Sequence, residues 1–371
     1  MEYKRLGDYI REVNVRNREL KVTNLLGLSI EKKFIPSIAN TIGTDMSAYK
    51  IVQPSQFAYV PVTSRNGDKI TVALYDGEDA AIISQAYTIF EIIDHKALLP
   101  EYLMMWFRRP EFDRYARFHS HGSAREVFDW DELCNVMLPV PDIARQREIV
   151  AEYETLSNRI RLNEQMIAKL EATAQALYRK MFVDGVDKEN LPEIIKYSKI
   201  GDLVKEINER NCLLKIKRTM GVTVNKYFIP TAAKLERTNL SNYKIVRCGQ
   251  FACSLIQVSR DGKMPVALYV DKEPAVVSPA YTVFEVSDTG LQSEYLMMWF
   301  RRVEFDKEAS YNAVGGIRGS LDWETFKEMK VPVPPLEEQH MDIIFHAINL
   351  YQQENLKLTE LQSLLLARMG K

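Results

Sequence analysis

Nine residues, "EYLMMWFRR", occur at 101–109 and again at 294–302. The likeness extends well beyond them. "YKRLGDYIREVNVRN" at 3–17 meets "YSKIGDLVKEINERN" at 197–211, and "VALYDGEDAAIISQAYTIFE" at 72–91 meets "VALYVDKEPAVVSPAYTVFE" at 266–285. "FIP", "YKIV" and "QFA" recur in the same order, and "DWDELCNVMLPVP" at 129–141 meets "DWETFKEMKVPVP" at 322–334. The tryptophans pair as Trp106 with Trp299 and Trp130 with Trp323. One self-similarity at a domain-sized spacing means a duplication, not a stack of short repeats. Whatever fold the first copy adopts, the second must adopt too, and two like domains in one chain suggest a pseudo-two-fold molecule.

Within each copy the pattern is mixed. "FAYVPVT" and "ITVALY" alternate and carry β-branched and aromatic residues, as strands do. Asn66-Gly67 between them, and Asp261-Gly262 in the second copy, are hairpin-turn signals. "AAIISQAYTIFEI" reads as a buried strand region. "PEYLMMWFRRPEFDRYARF" reads as one helix, or as two pieces divided at Pro110.

After each copy the texture changes. "LPVPDIARQREIV" and "VPVPPLEEQHMDI" begin with an extended Pro-x-Pro stretch. Asp142 reads as a helix cap, and Pro335 suits a first helical position. Long runs follow without proline or glycine. In the first, Ile149, Tyr153, Leu156, Ile160, Asn163, Ile167, Leu170, Ala174, Leu177 and Met181 keep alternating spacings of four and three. In the second, Ile344, Ala347, Tyr351, Glu354, Leu358, Leu361 and Leu365 do the same. Each is a heptad seam, and a long helix with one apolar seam needs a partner. The simplest partner is the other helix; packing of each on its own domain is the alternative. Asn163 at a seam position reads as a register device, or as a half-exposed residue where the stripe drifts.

The expected architecture is therefore α+β. Two duplicated α/β domains are separated by two long antiparallel coiled-coil helices, with pseudo-two-fold symmetry. The boundaries are 1–142 for the first domain, 143–190 for the central helix and linker, 191–335 for the second domain and 336–371 for the C-terminal helix.

Composition narrows the function. The start, "MEYKRLGDYI", lacks the apolar stretch of a secretory signal, and no apolar run approaches a membrane helix, so a cytoplasmic protein is expected. Cys134, Cys212, Cys248 and Cys253 form no C-x-x-C pair, and only His119 and His121 lie close together. Reduced, structural cysteines and no metal are the expectation. Net charge is −1. Residues 1–142 hold 17 Lys+Arg against 20 Asp+Glu, and residues 183–335 hold 22 against 20. Neither copy is a polycation that coats nucleic acid. No glycine-rich cofactor loop or phosphate loop is present, and no cofactor is expected.

The duplication, the Pro-x-Pro junctions "LPVPDIARQREIV" and "VPVPPLEEQ", the segments "GSAREVFDW" (122–130) and "GGIRGSLDW" (315–323), and "SPAYTVFEV" (278–286) together resemble one family. It is the specificity subunit of type I restriction-modification systems. The resemblance covers essentially the whole chain. It implies that each globular copy is a target recognition domain and that the long helices are spacers. It implies a subunit without chemistry of its own that reads a bipartite double-stranded DNA sequence. The implied partners are two methyltransferase subunits, which bind S-adenosylmethionine, and restriction subunits. A stand-alone DNA-binding or assembly adaptor without methyltransferase partners is the alternative. A cryptic nuclease built on Pro141-Asp142 is weaker, because the second copy has Pro335 at the matching place.

Candidate DNA contacts follow from loops that both copies share. Arg65, Asn66 and Lys69 flank the first turn, and Arg260, Asp261 and Lys263 the second. Arginine pairs guanine and asparagine pairs adenine, although a solvated turn accounts for them equally. Arg125 and Arg318 lie in glycine-containing loops suited to phosphate, or else form ion pairs with Asp129 and Asp322. Arg108, Arg109, Arg301 and Arg302 of the repeated nonapeptide are candidates for phosphate contacts shared by both halves. Lys32, Lys33 and Lys226 precede "FIP" as solvated strand ends or backbone contacts. By contrast, 17–33 and 211–227 match poorly, as do "HSHGSAREVF" and "YNAVGGIRGSL". If shared residues build the frame, the unshared ones set base preference, and two different half-sites in opposite orientation are expected.

Overall fold

The structure is a computed structural model that describes residues 2–37, 43–63, 67, 69–122, 125–182, 196–231, 238–256, 258–287, 290–313 and 319–370. The first copy contains strands β1 (Tyr3–Arg5), β2 (Ile10–Val13), β3 (Leu26–Leu28), β4 (Phe34–Pro36), β5 (Lys50–Val52), β6 (Phe57–Tyr59), β7 (Val72–Leu74), β8 (Ala81–Ile83) and β9 (Thr88–Ile92). Helices α1 (Pro100–Phe107), α2 (Pro110–Phe118) and α3 (Trp130–Cys134) follow, then β10 (Met137–Pro139) and the long α4 (Ile143–Phe182). The second copy runs β11 (Lys196–Lys199), α5 (Ile200–Leu203), β12 (Val204–Ile207), β13 (Met220–Val222), β14 (Phe228–Pro230), β15 (Lys244–Val246), β16 (Gln250–Cys253) and α6 (Val258–Asp261). It continues through β17 (Val266–Leu268), β18 (Ala275–Val277), β19 (Thr282–Val286), α7 (Ser293–Phe300), α8 (Val303–Asn312), α9 (Trp323–Glu328), β20 (Lys330–Val333) and α10 (Asp342–Arg368).

The duplication is complete at the level of pairing. The first copy has a four-stranded sheet β2-β9-β6-β7 and pairs β1-β10, β3-β4 and β5-β8; the second has β12-β19-β16-β17 and pairs β11-β20, β13-β14 and β15-β18. All the pairs are antiparallel. Phe57 sits opposite Phe90 and Phe251 opposite Phe284, with rings stacked at 4.9 Å in both. These cross-strand aromatic pairs fix register, because a slip of one residue would turn them to the other face.

The repeated nonapeptide forms α1 and α7. Apart from its glutamate, "EYLMMWF" is apolar all round, and such a helix is stable only when enclosed. Tyr102 to Phe107 and Tyr295 to Phe300 are all buried. Phe107 meets Phe57 edge-on at 5.9 Å, and Phe300 meets Phe251 in the same way at 5.9 Å. The helical segment divides where Pro110 opens α2, its missing N–H falling at the first turn where no partner is needed.

Compact packing divides the chain into residues 1–161 with 355–371, and residues 162–354. Each long helix is thus shared: α4 begins in the first unit and ends in the second, and α10 does the reverse. Within the second unit the two helix segments run antiparallel. Asn163 meets Glu354, while Ala174 and Tyr178 share a core with Met341, Phe345 and Ile348. Asn163 is buried and donates from Nδ2 to Glu354 Oε2 at 2.9 Å, both being seam positions. In the first unit Gln362 donates to Ser157 Oγ at 2.7 Å, and Leu366 and Met369 enter the core beside Val150 and Tyr153.

Three sequence expectations are corrected. The strands β6–β7 and β16–β17 are hairpins, but the turn is not a two-residue one: residues 60–71 and 254–265 connect them, the latter including α6. Gly67 and Gly262 do take left-handed φ values of 61° and 63°. The ladder ends early because the connector bonds elsewhere, with Thr63 N–H donating to Glu126 O and Leu321 N–H to Leu255 O. Second, between Ala174 and Met181 the α4 stripe is filled by Tyr178, not by Leu177, which is 38% exposed; the larger ring reaches Tyr295 and Trp299. Likewise Leu361 of α10 is 48% exposed, and the buried apolar positions there are Phe345, Ile348 and, less completely, Leu366. Third, Pro335 precedes a separate 3-10 turn, Leu336–Glu338, and α10 begins only at Asp342.

Candidate nucleic-acid interface

In each unit the loops that carry the candidate residues converge. In the first, the β3–β4 turn, the 60–71 connector, the end of α2 and the glycine-containing loop before α3 form one contiguous group. Lys69 Nζ lies 3.0 Å from Glu31 Oε1 in the β3–β4 turn. Arg117 Nη1 of α2 donates to Gly67 O at 2.6 Å. Val62 bridges Val127, and Phe128 N–H donates to Pro61 O. Gly122 permits this path: its φ is 133°, and a Cβ there would lie 2.2 Å from Arg125 O. In the second unit Gly319 plays the equivalent part, since a Cβ would meet Ser259 Oγ of α6 at 2.2 Å.

Arg125, Lys69, Arg260 and Lys263 are exposed on these loops. Arg260 is held by its neighbour Asp261 at 2.7 Å, in place of reaching outward alone. Arg65, Asn66 and Arg318 lie outside the described residues. Asp129 and Asp322 are helix caps: Asp129 accepts from Glu132 N–H, and Asp322 from the N–H groups of Glu324 and Thr325. Asp142 also caps, accepting from Arg145 N–H at 3.0 Å.

The nonapeptide arginines lie elsewhere. Arg109 stacks on Trp106 at 4.1 Å and is 7% exposed; Arg302 stacks on Trp299 at 4.1 Å and faces Tyr178 of α4 at 5.2 Å. Arg108 lies over Tyr153 of α4 at 5.6 Å. The Arg301 side chain is only 4% exposed; it donates to Glu171 of α4 at 2.6 Å and to Lys226 O at 3.1 Å. Burial pushes its pKa down, against the opposing pull of Glu171. Arg301 gives a donor, and Arg108 and Arg302 their flat faces, to the long helix α4, while Arg109 stays on Trp106 with Glu111 at 3.7 Å.

The Pro-x-Pro junctions have a comparable internal purpose. Gln146 is fully buried, accepts from Leu99 N–H and donates to Ala97 O and Pro141 O. Gln339 repeats all three bonds with Gln292 N–H, Gly290 O and Pro334 O. One amide thus satisfies the start of α1 or α7 and the start of the spacer together. Two residues that sequence reasoning placed at solvated strand ends, Lys32 and Lys226, are buried. The signal that would have found them is weak: one lysine before "F-I-P" in each copy.

Among the described residues no cluster of three or more His, Cys, Asp or Glu could hold a metal ion. His119 Nδ1 and His121 Nε2 both approach Glu132, at 3.0 and 3.7 Å. All four cysteines are free thiols, and burial pushes those of Cys134 and Cys253 up. No described helix is long and apolar enough to cross a membrane.

Residues 192–362 match the family model described as type I restriction modification DNA specificity domain. Across 91% of this chain and 83% of its own length, the type I restriction enzyme MjaVIII specificity subunit of Methanocaldococcus jannaschii is 19% identical. The type I restriction enzyme HindI specificity subunit of Haemophilus influenzae is 25% identical over 48% of this chain and 40% of its own. The crystal structure of a type I restriction-modification S subunit from M. genitalium superposes with a TM-score of 0.59 at 12% identity, covering 100% of this chain and 96% of that one, which shows a shared fold. Residues 192–362 thus carry a type I restriction-modification DNA specificity domain, and the first copy, outside that match, pairs its strands in the same order.

Proposed function

We propose that this chain is the sequence-reading, non-catalytic subunit of a type I restriction-modification complex in the cytoplasm. Each target recognition domain reads one part of a bipartite double-stranded DNA site. The spacer helices dock two methyltransferase subunits, and restriction subunits join them. The proposed domain limits are 1–142 and 191–335, with spacers at 143–190 and 336–371. The observation that carries this reading is the contrast within each domain: the same strand pairing and the same helix packing of α1 and α7 are kept in both copies, while the β3–β4 and β13–β14 turns and the loops before α3 and α9 differ.

Lys69, Arg125, Arg260 and Lys263 are exposed on the converging loops and are the proposed DNA contacts there; Arg65, Asn66 and Arg318 belong to the same loops by sequence. Arg108, Arg301 and Arg302 are turned to the spacer helix α4 and Arg109 to Trp106, and their proposed part is to set domain against helix. A near-neutral balance of charge gives modest non-specific attraction to phosphate. The free subunit therefore binds DNA weakly, and the assembled complex tightly.

Single-molecule methylome sequencing of the host with and without the gene tests the reading. The expected result is the loss of one bipartite motif with two different half-sites. No lost motif, or a perfectly palindromic one, would overturn it.

A further inference from the structure

Each domain contains a buried lysine in a conformation that lysine seldom adopts. Lys32 and Lys226 have φ values of 58° and 66°, at matching places in the β3–β4 and β13–β14 turns. Their side chains are 6% and 5% exposed. Lys32 Nζ donates to the carbonyl of Phe107, at the end of α1, and lies 2.7 Å from Asp113 Oδ1. Lys226 Nζ donates to the carbonyl of Phe300, at the end of α7, and lies 2.7 Å from Asp306 Oδ1. The same carboxylate oxygen takes a further bond: Asp113 from Ile70 N–H at 3.1 Å, and Asp306 from Met264 N–H at 3.0 Å. Ile70 and Met264 stand at the ends of the connectors between β6 and β7 and between β16 and β17.

Each lysine–aspartate pair thus ties three things together: the turn of one hairpin, the base of the neighbouring connector and the C-terminal end of the nonapeptide helix. The helix end is the one fixed point, since its sequence is identical in both copies. Of the two segments it holds, the β3–β4 turn and its β13–β14 counterpart lie in the stretches that match poorly, and the connectors carry the turn residues that both copies share. Lysine lies in "SIEKKF" in one turn and in "TVNKYF" in the other, so the clip is kept where its surroundings are not. For stability alone a buried ion pair is a poor choice, because apolar packing of similar volume does as well or better. What an ion pair with fixed hydrogen bonds supplies is direction.

We propose that Lys32 with Asp113, and Lys226 with Asp306, are positioning residues for target reading, each setting the loops of its own domain and hence the discrimination of its own half-site without touching a base. This rests on the DNA-reading function proposed above. A pair that merely stabilised the fold would, when removed, weaken all binding alike. A pair that aims loops changes which bases are accepted.

The test uses the full chain in complex with its methyltransferase subunits. Methylation rates are measured on duplexes bearing each single-base change in either half-site. Lys226→Met is expected to lower the ratio of kcat/KM for matched over mismatched sites roughly tenfold at one half-site only, the size of about one lost base contact. Lys32→Met does the same at the other half-site. Asp306→Asn keeps the shape of the carboxylate and serves where Lys226→Met does not fold, with the circular-dichroism melt as the check. Equal losses at both half-sites, or unchanged discrimination in a folded variant, would overturn the proposal while leaving the function intact. A wild-type complex that methylates no bipartite site would overturn both.

Discussion

The same nine residues meet different neighbours in the two units. Trp106 and Trp299 each carry an arginine at 4.1 Å, so that part of the seat is duplicated faithfully. The preceding arginine is not. Arg108 lies over a Tyr153 ring, whereas Arg301 is ion-paired with Glu171 and nearly sealed from water. Exact repetition therefore preserves the inward face of α1 and α7, which packs on a duplicated sheet. It does not preserve what the outward arginines touch, because α4 and α10 supply different residues to the two seats. Identity of sequence in a duplicated protein marks shared interior, and function can diverge around it.

The sharpest way to break this comparison is to remove the partner rather than the arginine. Glu171→Ala strands the buried Arg301 guanidinium and is expected to cost about 3 kcal/mol in urea unfolding, the low end for a broken buried pair because Glu171 itself is partly exposed. Tyr153→Leu, which removes only a ring beneath Arg108, is expected to cost about 1 kcal/mol from the lost cation–π contact. Equal costs would erase the distinction between the seats.

The helix seam gives the next largest effect. Asn163→Leu leaves Glu354 without its amide and should cost about 1–3 kcal/mol. Adding Glu354→Leu should recover most of that loss in a double-mutant cycle, since two apolar residues then face each other. Additive losses would sink the pairing.

The two clips also differ in their titration. Burial lowers the pKa of both lysines against the pull of their aspartates, and it brings Lys226 to about 8. A folded pKa below the unfolded value of 10.5 means that the unfolded chain holds the proton longer. Lys226 therefore makes stability rise as pH climbs from about 8 to 10.5. The expected readout is a wild-type stability that gains on Lys226→Met across that window, measured by paired urea titrations. A constant difference would contradict it. Arg301 and Lys263 oppose the charged lysine, and Asp306 favours it.

The smallest effect compares the caps. Asp129→Ala and Asp322→Ala each remove a side-chain acceptor from a short helix and should each cost about 1 kcal/mol in thermal or urea melts. A much larger loss at Asp322 would show that its second bond, to Thr325 N–H, counts separately.

Much of the architecture was legible because duplication and periodicity are one-dimensional signals. The two halves, the strand regions around Phe57 and Phe90 and the heptad seams follow from spacing and pattern, while the break at Pro110 and a buried Asn163 are each one of two readings that the sequence allows. The errors arose where a third dimension decides. Leu177 and Tyr178 are neighbours in sequence, and only the position of Trp299 selects the tyrosine. Gly67 announces a left-handed turn, but not that Thr63 and Pro61 will bond to the loop before α3. Lys32 and Lys226 were hidden most completely. Their partners Asp113 and Asp306 lie some eighty residues away, and a lysine before a strand has the same local appearance whether it faces water or a helix end.

One consequence of the shared long helices concerns synthesis. The core around Tyr102, Trp106 and Tyr153 includes Leu366 and Met369, and Tyr3 Oη donates to Gly370 O. A ribosome finishes residues 1–161 about two hundred codons before it supplies those last side chains. Until then the first unit holds an open apolar slot against α1, while the second unit, whose residues 162–354 are continuous in sequence, has everything it needs. The domain made first is the one completed last.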